Sequence, residues 1–215
     1  MTFVMIGCFS CDDGSSGNNG ESGATADPND TLPRLTEAQK VQLKKDVQDW
    51  HQTLSNQEWD KHLEYMYPAI WKTDSTKLIL RDQMKGFYEA GYYNLIDSSK
   101  VKYISPIVTD TTRNQQIVAV KSFVYQRVVV EEKYPTDNPE GAFMGMLTTR
   151  YGNNVTYVPE ERVFYIQAPT LSYAFLGEDG SFTFLAEQFI NSPSLAGLLS
   201  FNIVRQLKKY ESDMP

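Results

Sequence analysis

The hydrophobic rhythm of the chain changes at Gly91, and that change limits the folds open to it. Before Gly91, Val41, Leu43, Val47, Trp50 and Leu54 recur at near-helical spacing. After it, β-branched and aromatic residues alternate with a period of two or run continuously. Helices first and strands second, without regular alternation, point to an α+β architecture rather than a parallel α/β sheet.

The local signals sharpen this. Thr36-Glu37-Ala38-Gln39 reads as a capping box opening a helix over residues 36–54, and 55–58 repeats the pattern ahead of a helix carrying Trp59, Leu63 and Met66. Pro68 stops that helix, Asp74 caps a third, and Gly91 ends it. Five strands are expected at 101–108, 116–132, 155–167, 171–176 and 181–185, with Glu178-Asp179-Gly180 turning the last two into a hairpin. A strand of about 17 residues spans about 50 Å and must bend. The insertion at 133–154 holds a short helix at 141–151, and Ser192-Pro193 opens a final amphipathic helix over 193–210.

Both cysteines, Cys8 and Cys11, lie in the first 11 residues of 215. From Asp12 onward a disulfide, a thiolate metal site and a cysteine nucleophile are excluded. Residues 1–33 carry five acids and no Lys or Arg, which leaves 22 acids against 20 bases in the remainder. A nearly neutral domain is not the basic surface a nucleic-acid binder needs, so no nucleic-acid partner is expected. Lys40, Lys44 and Lys45, and Arg205, Lys208 and Lys209, read as solvated helix faces. No apolar run is long enough for a transmembrane helix.

The run Val4-Met5-Ile6-Gly7-Cys8, followed by Phe9-Ser10-Cys11-Asp12-Asp13, resembles the lipobox of bacterial lipoproteins of the Bacteroidetes type. The resemblance implies a lipid on Cys8, with Cys11 as the alternative, and a place in the cell envelope on the periplasmic or surface face of the outer membrane. Residues 1–11 are then the signal region and 12–33 a disordered tether of Gly, Ser, Asn, Asp and Thr, with the folded domain at 34–215. Asp30-Thr31-Leu32 has the form of a Bacteroidetes O-glycosylation acceptor, and Asn154-Val155-Thr156 that of an N-glycosylation sequon.

Three helices followed by a bent antiparallel sheet resemble the nuclear transport factor 2-like (cystatin-like) superfamily. The resemblance rests on residues 50–71, with Asn56-Gln57-Glu58-Trp59-Asp60 as polar turn and aromatic anchor and Tyr67-Pro68 as helix stop, and on Gly180-Ser181-Phe182-Thr183-Phe184 as closing strand. It covers about residues 35–188 and implies a cone-shaped domain, to which the final helix is an addition. Some members carry an acid or base inside the cone, which keeps a cofactor-independent isomerase or hydratase open.

The residues themselves lean toward binding. Tyr65, Trp71, Tyr88, Tyr92 and Tyr93 fall where helices would close the mouth of the cone, and rings with a polar tip suit ligand recognition. Glu131, Glu132, Glu160 and Glu161 sit beside turns and read as strand ends in water, so no catalytic residue is assigned. Glu58 and His62 lie one helical turn apart, but with His51 they fall short of a metal site. Neither a cofactor nor a metal is expected. The expected partners are a membrane, through the lipid, and a small-molecule or protein ligand; a homodimer built on the sheet face and final helix, as an assembly module, stays open.

Overall fold

The computed structural model describes residues 32–71, 73–187 and 199–212. Cys8, Cys11, the tether up to Thr31 and the Ser192-Pro193 helix start lie outside them. The described residues fold as an α+β domain: five helices and one six-stranded antiparallel sheet. Their order is α1 (Glu37–Ser55), α2 (Trp59–Glu64), a 3₁₀ turn (Pro68–Ile70), α3 (Asp74–Glu89), β1 (Tyr92–Ile104), β2 (Val108–Asp110), β3 (Gln115–Val130), α4 (Pro139–Tyr151), β4 (Val155–Val158), β5 (Val163–Leu176), β6 (Phe182–Ala186) and α5 (Phe201–Ser212).

Helix α1 starts where the capping box places it. The Gln39 amide donates to Thr36 Oγ1 at 3.3 Å, and the Thr36 amide donates to Gln39 Oε1 at 2.9 Å, so two orphan donors are satisfied reciprocally. The second capping box does not form. Ser55 ends α1, Gln57 turns the chain at φ 61°, and the Ser55 hydroxyl serves the backbone of Ile96 in β1 instead. Thr73 rather than Asp74 caps α3. Gly91 then reverses the chain at φ +95°, where an added Cβ would stand 2.8 Å from Lys133 Cε.

The sheet is built on two long central strands, in the order β1-β3-β5-β4, with β2 added to β3 and β6 to β5. Strand β1 begins nine residues before the expected 101 and carries two bulges, at Ile96/Ser98 and Val101/Tyr103. Its polar first half, Asn94 to Ser99, has little strand propensity of its own and is held by pairing with β3. The expected strand over 155–167 is instead β4, a turn at Pro159 to Arg162 with Arg162 at φ 54°, and the start of β5. Conversely β5 runs unbroken through Pro169. That residue lies between the parts of β5 paired to β4 and to β6, so its missing N–H faces an unpaired edge there.

The two faces of the sheet are covered differently. On one face, Leu43, Val47 and Trp50 of α1 pack with Val118, Val120, Ala174, Phe182 and Phe184. Further along that face, Leu147 and Tyr151 of α4 pack with Val128, Val130, Phe164 and Ile166. On the other face, Ile203 and Leu207 of α5 join Ile117, Ala119, Tyr173 and Phe175, with Tyr67 stacked on Phe175 at 3.6 Å between ring centroids. Beyond α5 the same face carries Tyr125 and Tyr165, 46% and 37% exposed. No described helix is long and apolar enough to cross a membrane.

Candidate functional site

The start of α1 and the end of β1 meet in a recess of about 230 Å³. Its position follows from a short strap ahead of the helix. The Ile107 amide donates to Pro33 O at 2.7 Å, which pins the strap to the chain leaving β1. Leu35, buried at 4% exposure, then plugs into the core beside Val101, Ile104 and Ile107. With Leu35 turned inward, its neighbour Arg34 is held on the rim. Ser105 closes the far side: its amide donates to Ala119 O and its hydroxyl accepts from the Ala119 amide, both at 2.9 Å.

Four cations line the recess. Lys40 and Lys44 stand one turn apart on α1, which places both on one face of the helix. Lys102 is the extra residue of the second β1 bulge, and bulges re-aim side chains in this way. Arg34 is the fourth. Lys40 Nζ meets Glu37 Oε1 at 2.7 Å, but that carboxylate is 87% exposed and its proton affinity is lowered chiefly by the hydrogen bond from Lys40. Neither Lys44 nor Lys102 has an acid within ion-pair distance among the described residues. Among the described residues no carboxylate or imidazole lines the cavity, whose remaining walls are Leu35, Val101, Tyr103, Ile104 and Ser105. At about 230 Å³ it is smaller than pockets for drug-sized ligands, which run to roughly 300–1,000 Å³.

The five aromatic residues singled out in the sequence do not share one cavity wall, and none lines the recess. Tyr65 lies 6.5 Å from Phe184 beside the α1 core, and Trp71 packs on the opposite face against the cluster around Tyr67. Tyr88 and Tyr93 meet edge to face at 5.2 Å. The Tyr88 hydroxyl donates to Asn94 O at 2.5 Å and accepts from its amide at 3.1 Å, and burial pushes its proton affinity up to about 12. Tyr92 sits among Phe87, Tyr134 and Phe143, where burial raises its phenol strongly.

Two further groups carry altered titration. His51 and His62 stack on Trp50 at 5.2 and 5.9 Å, and burial lowers both to about 4, so both are neutral at ordinary pH. His62 Nδ1 lies 3.1 Å from Thr53 Oγ1 and 3.2 Å from Trp50 O, while His51 Nδ1 is buried without a partner among the described residues. Asp46, 5% exposed, accepts from Gln42 Nε2 at 2.8 Å and from the Phe182 amide at 3.1 Å; desolvation raises it despite these bonds. Among the described residues no three His, Cys, Asp or Glu side chains converge on a metal position.

Sequence reasoning missed Arg34 and Lys102 and read Lys40 and Lys44 as a solvated face. Nothing local marks Lys102 as a bulge residue, because the extra residue is defined only by its pairing with β3. Asp46 did leave a signal, an acid on the stripe formed by Leu43, Val47 and Trp50. The chain matches no protein-family model and no curated protein sequence.

Proposed function

We propose that this is a lipid-anchored bacterial cell-envelope protein whose domain, of nuclear transport factor 2-like type, binds a ligand rather than transforming one. The observation that carries the binding reading is the recess beside α1, lined by cations and a phenol, with no group among its described walls suited to act as general base at neutral pH. The fold assignment is supported by three helices ahead of long antiparallel strands and by the bulges in β1, which bend a sheet locally. The anchor is supported by the lipobox-like run ending at Cys8 and the acidic tether behind it.

Two experiments test this reading. Replacing both Cys8 and Cys11 by Ser should move the protein from the membrane to the soluble fraction, and retention in the membrane would contradict the anchor. Native mass spectrometry of the protein gently purified from its source cell should find a co-purifying small molecule. An apo spectrum, together with failure to bind any added probe, would contradict the binding reading.

A second reading, a cofactor-independent acid–base enzyme, is favoured by Asp46, a carboxyl group raised by burial in an apolar surround. It ranks below binding because both Asp46 oxygens are already engaged, one by Gln42 and one by the Phe182 amide, and Asp46 does not line the recess. A third reading, an assembly module, is favoured by the part of the sheet around Tyr125 and Tyr165 left open beyond α5. Sedimentation at micromolar concentration tests it, a dimer supporting the module and a monomer opposing it.

A further inference from the structure

We infer that the recess between α1 and the end of β1 is a binding site for a small polyanion, a molecule presenting two or more phosphate or carboxylate groups. This inference rests on the binding reading above and names the chemistry of its ligand.

The charge around the recess differs from that of the domain as a whole. The domain beyond the tether carries 22 acids and 20 bases, so an average patch of its surface would be close to neutral. Four cations instead face one cavity of about 230 Å³ with no acid among its described walls; Lys40 is paired to Glu37, and Lys44 and Lys102 have no described acid within ion-pair distance. Gathering like charges at a low-dielectric wall costs free energy unless an anion offsets it. Elsewhere on the same helix the pattern differs: Lys45, on the neighbouring face, is paired to Asp49 at 3.0 Å.

The construction of the recess points the same way. The cations come from three separate pieces of chain, namely the strap, α1 and the β1 bulge, and each is fixed by the backbone beneath it. Arg34 is held by the flanking anchor of Leu35, Lys40 and Lys44 by a capped helix, and Lys102 by the bulge register. The apolar floor of Leu35, Val101 and Ile104 lowers the local dielectric and strengthens each contact. The cavity volume suits a compact anion, and Tyr103 adds a phenol to its wall, whereas the Ser105 hydroxyl is held by Pro106 O and the Ala119 amide.

The test is calorimetric titration of the full chain with pyrophosphate, citrate and, as the uncharged control, glucose. Pyrophosphate or citrate should bind, more weakly as salt rises from about 0.05 to about 0.5 M, and glucose should not. The stronger of the two oxyanions tells a phosphorylated from a carboxylated ligand. The Lys44→Ala/Lys102→Ala variant should weaken that binding at least about tenfold, since each contact to a charged group is worth about a factor of ten or more. The Lys208→Ala/Lys209→Ala variant on α5 should leave it unchanged. Both pairs are exposed, and circular dichroism checks that the folds are intact. Equal weakening by the two variants, or no effect of the first, would overturn the site. Binding of neither oxyanion while a neutral molecule co-purifies with the native protein would overturn the polyanion and leave the binding reading standing; if nothing binds or co-purifies, both fail.

Discussion

The two ends of β1 are built from the same strand, paired to the same neighbour, and they solve opposite problems. At its start, Tyr92 and Tyr93 are wedged among rings: Tyr92 lies within 5.1–5.9 Å of Phe87, Tyr134 and Phe143, and Tyr93 meets Tyr88. At its end, residues 101–104 form one wall of a cavity ringed by Lys40, Lys44, Lys102 and Arg34. The first end has filled its space with carbon, and its Tyr93 hydroxyl accepts from Lys133 Nζ. The second has left space and gathered charge around it. Stability is concentrated where packing is complete, whereas a recess ringed by like charges is the part that the proposed ligand would complete.

If this contrast is right, the largest effect on folding comes from emptying the ring-packed end. Phe164 is fully buried beneath Phe143 and Tyr157, so Phe164→Ala should cost about 3–5 kcal/mol and lower Tm by roughly 10 °C or more in thermal unfolding. A loss under about 1 kcal/mol would mean that this end is loosely packed and the contrast is wrong.

Acid acts next, through the histidines stacked on Trp50. His51 and His62 are lowered from the ordinary 6.5 to about 4 in the folded protein by burial, so above pH 6.5 they are neutral folded or unfolded. As pH falls below 6.5 the unfolded chain takes up protons that the folded chain refuses, and stability is lost until about pH 4. The loss is about 3 kcal/mol or less per imidazole, and between pH 6.5 and 5 it precedes the titration of ordinary carboxylates. Tm should therefore drop between pH 7 and 5, and the drop should flatten in His51→Gln/His62→Gln.

A smaller effect comes from Tyr88, which bridges α3 to the start of β1. Tyr88→Phe removes its bonds to Asn94 and should cost about 1–2 kcal/mol by chemical denaturation. Smallest of all on stability is Lys44→Ala/Lys102→Ala, expected to change unfolding by about 0.5 kcal/mol or less, since the removed charges have no acid partners within ion-pair distance among the described residues. The same variant carries the largest effect on binding, which is the sense in which the two ends are opposites.

These two ends were not equally legible in the sequence. Several element boundaries announce themselves locally, at either end. Thr36 with Gln39, Gly91 at the α3 stop and Gly180 in the last hairpin, at φ +83°, are short-range signals that need no tertiary partner. The α+β order was readable for the same reason. Strand boundaries were not: Asn94, Asp97, Ser98 and Ser99 do not look like a strand until β3 and the Ser55 hydroxyl hold them there, and Pro169 reads as a break until the gap between β4 and β6 is known. The recess lies at the far extreme. Its four cations are separated by up to 68 positions, and only the bulge and the strap bring them together.

The comparison, and with it the proposed site, can be read in a single experiment. Amide chemical shifts of the ¹⁵N-labelled full chain would be followed while pyrophosphate is added. The account predicts shifts concentrated at Arg34, Lys40, Lys44 and residues 101–105, saturating with one binding curve, while Tyr88, Tyr92 and Tyr93 stay still. Movement centred on Tyr88, Tyr92 and Tyr93, with the recess unmoved, would contradict it.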